Sequence, residues 1–211
     1  MRKAGLSRQR VLEAALRVVD REGLDALSMR RLGQELGVEA MSLYRYVSSK
    51  AELLDGLHET ILEAMEPLAP ECTGFAALRA MALGFRAALS EHPRALPIFA
   101  TRPAVTPASL SHVERALQAL EDQGFEGTDA LRAFQSLVTY VVGSTLSHYG
   151  KLLRGDVASV SYRDLPADEF PRLSRVEKAL DGYDPDEEFA FGLDALLDGI
   201  RARRGSGLDN R

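Results

Sequence analysis

A catalytic or metal centre in this chain would have to draw on four histidines and one cysteine, and their spacing does not assemble one. His58, Cys72, His92, His112 and His148 form no paired ligand motif with each other or with a carboxylate. No Gly-x-Ser-x-Gly elbow, phosphate-binding glycine loop or dinucleotide fingerprint occurs. These absences speak against an enzyme. His58 is expected on an exposed or interdomain face, His92 near a helix end, and His148 as a satisfied buried or interface histidine. The segment that does suggest a chemistry is Leu27-Ser28-Met29-Arg30-Arg31-Leu32-Gly33-Gln34-Glu35-Leu36-Gly37-Val38-Glu39-Ala40-Met41-Ser42-Leu43-Tyr44-Arg45-Tyr46-Val47-Ser48-Ser49-Lys50. It reads as two short helices joined by a tight turn, with Gly37 supplying the positive φ the turn needs. Leu32, Leu36, Val38, Leu43 and Val47 can fill a small core with the preceding helix. The polar remainder of the second short helix is then free to enter a DNA major groove, which is wide enough for one helix.

The elements that must hold this segment are helical throughout, since the 3.6-residue period dominates and strand-like alternation is hard to find. Ser7 caps a helix with Val11, Leu12, Ala15, Leu16 and Val19 on one face, closed by Gly23. Ser28 caps the second, and a third runs from about Glu39 to Tyr46. Ser48 or Ser49 caps a fourth carrying Leu53, Leu54, Leu57, Ile61 and Met65, ended by Pro67 and Pro70. Further helices are expected near 73–91, 93–101, 107–123, 127–154, 167–181 and 185–203, punctuated by prolines and by Gly124-Phe125-Glu126-Gly127. Weak periodicity from Gly155 to Phe170 predicts a partly mobile loop, and the polar tail from Gly205 is expected to fray.

Charge is divided along the chain. Residues 1–50 hold 10 Lys/Arg against 6 Asp/Glu, whereas residues 51–211 hold 16 against 25. A basic head on an acidic body lets the head meet phosphates while the body is repelled. The modest excess on the head does not favour indiscriminate DNA compaction. The 45% hydrophobic and 27% charged composition suits a globular chain that buries its core without staples. Cys72 has no disulfide partner and is read as a small core residue, which fits a reducing cytoplasm. No apolar run approaches the ~18–20 residues that span a bilayer, and no signal sequence follows the basic start. A cytoplasmic location without membrane attachment is expected.

The segment Leu27 to Lys50 resembles the tetracycline-repressor (TetR) family, whose members share an apolar residue, Ser/Thr, Arg, Leu, then Leu-Gly-Val, Leu-Tyr, an aromatic and Lys. Farther on, Phe99-Ala100-Thr101-Arg102-Pro103 is similar to the Gly-Thr-Arg-Pro turn of the tetracycline repressor subgroup, and Phe189 to Leu193 with Gly199 to its last helix. The resemblance implies an all-α fold, with a three-helix helix-turn-helix domain over residues 1–50 and a ligand-binding and dimerisation domain over 51–211. It implies a homodimer on double-stranded operator DNA, with Ser28, Met29 and Arg30 opening the second helix and Glu39, Ala40, Met41 and Ser42 opening the recognition helix. Arg45 and Tyr46 follow a turn later, and Tyr44 and Lys50 are expected on phosphates. Arg30 and Arg45 are each suited to fork onto guanine, and Ala40 and Met41 to touch a thymine methyl. In the body, the implied pocket candidates are Ile61, Met65, Phe85, Leu89, Phe99, Thr101, Arg102, Leu117, Phe134, Leu137 and Tyr140. Their apolar and aromatic character suits a small hydrophobic effector. The helices near 127–154 and 185–203 would form a four-helix bundle across the dimer, with Leu131, Val138, Val142 and Thr145 on one face and Phe189, Leu193, Leu196, Leu197 and Ile200 on the other. Gly143, Gly192 and Gly199 would permit close approach.

The chain departs from the tetracycline repressor where that protein binds drug-chelated magnesium. Its magnesium-ligating histidine, three residues before the Thr of the turn, is replaced by Ile98, and its acidic contact in the long helix falls near Ser147. Isoleucine cannot ligate a hard cation, and a hydroxyl is a poor substitute for a carboxylate. The expected effector is therefore metal-free, and no cofactor is expected. The resemblance also implies a repressor that such an effector releases from a palindromic operator; a ligand-independent or activating regulator of the same fold is the alternative.

Overall fold

The computed structural model describes residues 5–154, 165–180 and 184–204, and every regular element among them is helical. In order these are α1 Arg8–Glu22, α2 Met29–Leu36, α3 Ala40–Leu43, α4 Lys50–Glu63, α5 Gly74–Glu91, α6 Leu96–Thr101, α7 Pro107–Glu121, α8 Gly127–His148, α9 Gly150–Arg154, α10 Pro171–Leu180 and α11 Pro185–Ala202. The loop expected at Gly155 to Phe170 lies outside the described residues up to 164, as does the tail from Gly205.

The helix ends follow from local chemistry. Ser7, Ser28 and Ser49 each accept a hydrogen bond from a backbone N–H three residues on, and so satisfy a donor that the first turn leaves open. At α4 the cap is doubled, because the Glu52 carboxylate accepts from the Ser48 N–H at 2.7 Å and from its hydroxyl at 2.6 Å. Gly37 ends α2 at φ +67°, in the left-handed region, and the Val38 N–H then reaches the Gly33 carbonyl at 2.9 Å. The third helix is shorter than the sequence pattern predicts. After Leu43 the chain tightens into a turn in which the Tyr46 N–H bonds Leu43 O, so Tyr44 to Tyr46 leave the regular helix. Helix α4 likewise stops at Glu63, and Met65 sits in the turn beyond it. The long helix expected over 127–154 breaks at Tyr149, and the helix expected from 167 starts at Pro171, a residue that suits a first turn because it has no N–H to satisfy.

Helices α1, α2 and α3 close around Val11, Ala15, Val18, Leu27, Leu32, Leu43 and Val47, all at 1% exposure or less. They can approach so closely because of Gly33. A Cβ there would stand 2.8 Å from the Val38 carbonyl oxygen and 3.2 Å from Ala40 N. Both are backbone atoms, so relief would require α2 and α3 to separate. Gly33→Ala is expected to cost ~1–3 kcal/mol, the range for overpacking a tight site. A lower denaturation midpoint together with weakened DNA binding is the result to look for. An unchanged midpoint would show that the crossing yields freely.

In the body α5, α7 and α8 pack on one another, α11 lies across α5 and α8, and α6 lies against α8. Helix α4 joins head to body, since it packs on α1 and also on α5, α6 and α7. Polar contacts tie the two further. Arg8 meets Glu59 at 3.2 Å, His92 Nδ1 lies 3.0 Å from Asp20, and Arg94 donates to the Arg21 carbonyl. Cys72 is half-buried against the core.

Candidate nucleic-acid interface and effector cavity

From Arg21 to Lys50 the cations of the head divide into two groups. Arg31 lies 2.6 Å from Glu22 and 3.0 Å from Glu35, and Arg21 lies 2.6 Å from Glu35. Hydrogen bonds from the Arg31 and Arg21 guanidiniums hold the Glu22 and Glu35 carboxyls below their ordinary range. This cluster links α1 to α2 and has its charge answered internally. Arg30, Arg45 and Lys50 are exposed and form no ion pair among the described residues. They are the positive charges of this segment that remain for phosphates and base edges.

The other expected contact residues fall into two classes of exposure. Met41 is 74% and Tyr44 46% exposed, large side chains with apolar surface open to solvent beside the exposed cations. Ser28 and Glu39 are also exposed, whereas Met29, Ala40, Ser42 and Tyr46 are half-buried. Met29 and Tyr46 pack on the head core. The Ser28 oxygen accepts from the Arg31 N–H, which leaves its hydroxyl proton to donate.

Beneath α4 lies a cavity of about 520 Å³, bounded by α4 to α8. Of the residues expected there, Met65, Phe85, Phe99, Thr101, Arg102, Phe134 and Leu137 line it. Four do not. Ile61 and Leu89 have no exposure and are consumed by packing. Leu117 is turned onto the core, one position past Ala116, which does line the space. Tyr140 faces away, donates to the Phe189 carbonyl at 2.9 Å, and borders a separate polar cleft between α5, α8 and α11. Successive helical side chains differ by about 100° in direction, so neighbours on one apolar stripe have different fates.

The sequence reading missed His58. Expected on an exposed or interdomain face, it is 7% exposed, lines the cavity within the body and stacks on Phe99 with centroids 4.4 Å apart. Phe85 meets Phe99 edge-on at 5.5 Å, so the three rings make one aromatic wall. Burial pushes the His58 pKa down to about 4; Asp55 pulls it up, while Arg102 and His112 push it down. The signal was its place four residues after Leu54 and four before Leu62, on the inward stripe. Arg102, at the cavity's edge, is tied to α4 by a 2.6 Å contact with Asp55 and a bond to the Ala51 carbonyl at 3.3 Å. Ile98 is 1% exposed and packed in the core rather than on the cavity.

The expected dimer faces are corrected. Phe189, Leu193, Leu197 and Ile200 are buried within the chain, Leu196 is half-buried, and Thr145 is buried. Val138 and Val142 line the cavity, as does Leu131, which is also 50% exposed. Gly192 serves an internal approach, because a Cβ there would run into the Tyr140 hydroxyl. The exposed stripe is Ser136, Thr139, Gly143 and Ser147 on α8, and Phe191, Ala195, Gly199 and Ala202 on α11. Phe191 is 78% exposed. His148 is exposed as well, its ring edge-on to Tyr149.

Comparison with known proteins agrees with this arrangement. Residues 11–57 match the bacterial regulatory proteins of the tetR family, and residues 66–204 match the tetracyclin repressor-like C-terminal domain. The HTH-type transcriptional repressor DrrR1 of Streptomyces coeruleorubidus is 33% identical over 214 residues, which cover 94% of this chain and 78% of that protein. The Streptomyces coelicolor TetR family protein ActR, solved in complex with actinorhodin, superposes with a TM-score of 0.80 at 31% identity, over 96% of this chain and 100% of that one. A variant of TetR from Acinetobacter baumannii AYE, in complex with minocycline, gives a TM-score of 0.82 at 29% identity, over 98% and 99% of the two chains.

Proposed function

The chain belongs to the tetR family of bacterial regulatory proteins, and from that premise we propose that it is a repressor released from a palindromic operator by a flat, largely aromatic small molecule. Residues 1–50 are the reading head and 51–211 the sensing and dimerising body. Arg30, Arg45, Tyr44 and Lys50, with Met41 at the tip, meet the DNA. One head reads only a few base pairs, so two heads on a homodimer supply the specificity.

The cavity roofed by α4 carries this reading, because the head stands on α4. Arg102 grips the first turns of α4 from the cavity's edge, and His58 of α4 stacks on Phe99 of α6. A molecule that fits the cavity better in one arrangement of α4 than in another shifts the population of head positions, and only by its differential affinity for them. Relatives of this chain are solved in complex with actinorhodin and with minocycline. With Ile98 buried, the effector here binds without magnesium. No helix among the described residues is long and apolar enough to cross a membrane, and we place the protein in the cytoplasm with its DNA. We assign it no catalytic role.

Retention of a genomic fragment library on the purified protein at fixed physiological salt tests the reading. A short palindrome should be enriched, and aromatic compounds that raise the melting temperature should elute it, with or without EDTA. Equal retention of all fragments by a folded dimer would count against an operator-specific regulator.

A further inference from the structure

The cavity has few polar side chains, and most of them are already engaged. The Thr101 hydroxyl donates to the Pro97 carbonyl at 2.7 Å, and the Ser109 hydroxyl to the Thr106 carbonyl at 3.1 Å. Arg102, the sole charged side chain on the lining among the described residues, is paired with Asp55. His112 accepts at Nδ1 from Arg115 at 3.1 Å; because a guanidinium only donates, the neutral His112 ring carries its proton on Nε2. Gln135 stands at the exposed margin. His58 differs from all of these. Its ring is more than nine-tenths buried, held flat against Phe99, and makes no hydrogen bond with any described residue. What remains of its surface opens on the cavity. Among the described residues no fully buried side-chain nitrogen or oxygen lacks a partner, so the unbonded ring nitrogen of His58 is an open one, free to meet a molecule in the cavity.

We infer that His58 is the selecting residue of this cavity: its imidazole accepts the hydrogen of a phenolic hydroxyl on an aromatic effector. The inference rests on the cavity's being the effector site. A ring system laid along the wall of His58, Phe99 and Phe85 gains apolar burial whatever its substituents. The hydroxyl adds the one polar contact the wall lacks, and an O–H of phenol acidity is a strong partner for an imidazole nitrogen. A carboxylate or an amine finds no free counter-charge on the lining. The charged and titratable groups facing His58 are Asp55 on its own helix, Arg102 beyond α6 and His112 on α7. Burial keeps the ring uncharged at neutral pH, so the nitrogen is available as an acceptor.

Matched probes separate the hydroxyl from the ring system. Binding of 6-hydroxyflavone and 6-methoxyflavone to the dimer would be measured by titration at pH 7. The native protein should bind the hydroxy compound about ten-fold or more tightly than the methoxy compound. His58→Phe keeps an aromatic ring and should bring the ratio of the two affinities to about one, whatever the affinity for each flavone becomes; His58→Gln should keep part of the preference. A ratio near one in the native protein, or one that survives in His58→Phe, would overturn the assignment while leaving the cavity as an aromatic site. Binding of neither flavone would overturn both. If His58→Phe does not fold, the ratio in the native protein still decides.

Discussion

Replacing Arg45 with alanine is expected to weaken operator binding by about 30- to 10⁴-fold at fixed salt, with the fold intact. A guanidinium fork on a base edge contributes ~1–3 kcal/mol of discrimination. A two-fold symmetric dimer makes that contact twice, and about 2–6 kcal/mol corresponds to the stated range. Arg45 is exposed and pairs with no carboxylate among the described residues, so its removal leaves no buried charge behind. Arg31 serves as the contrast. It lies in α2, before the recognition segment, and its guanidinium is held by Glu22 and Glu35. Arg31→Ala should change operator affinity only a few-fold, through the seating of α2. Lys50→Ala should weaken all sequences alike and flatten the salt dependence, by about 0.9 in slope for each of the two phosphates it no longer neutralises. Fluorescence anisotropy on the enriched palindrome at several salt concentrations measures all three. Arg45→Ala binding within two-fold of the native protein would remove Arg45 from the interface.

The head was legible in the sequence because its boundaries are written in single residues. Ser7, Ser28 and Ser49 can cap, Gly23 and Gly37 can turn, and the apolar positions between them allow one arrangement of a small core. Its one misreading concerns length. Tyr44, Arg45 and Tyr46 do not themselves end a helix, and the tightening after Leu43 comes from how the turn must deliver Val47 to the core. The body was legible only as helices. Periodicity finds the inward stripe of each but cannot tell a position that meets a neighbouring side chain from one that meets an empty space. Ile61 and Leu62 share a stripe, yet only Leu62 reaches the cavity. The polarity of His58 suggests an exposed or interdomain face, although its spacing places it inward. The dimer face failed for a related reason. The strongest apolar pattern on α8 and α11 is spent on the chain's own interior, and what it leaves outside is mostly small residues with a weak hydrophobic signal.

That remaining stripe yields the second large effect, on Phe191→Asp. Phe191 is 78% exposed in the single chain and contributes nothing to its buried core. A large aromatic flanked on α11 by Ala195 and Gly199 suits a surface that a second copy covers, and Gly143 on α8 has open space where a side chain would project. If α8 and α11 of two copies form the four-helix bundle there, each dimer buries this phenylalanine twice. Exchanging it for a carboxylate loses ~1.5–3 kcal/mol of apolar burial per copy and adds the cost of desolvating a charge. The dimer dissociation constant is expected to rise by about 10³-fold or more. The monomer should stay helical, because the buried core is untouched. Leu193→Ala, two positions on, should do the reverse. Leu193 is fully buried inside the chain, so its truncation should cost ~2–5 kcal/mol of folding stability and leave the association surface in place. Sedimentation velocity with thermal denaturation separates the two outcomes, and operator affinity should follow the dimer, falling toward that of a single head in Phe191→Asp. A Phe191→Asp protein that remains dimeric and holds its operator with native affinity would place the two-fold axis on another face.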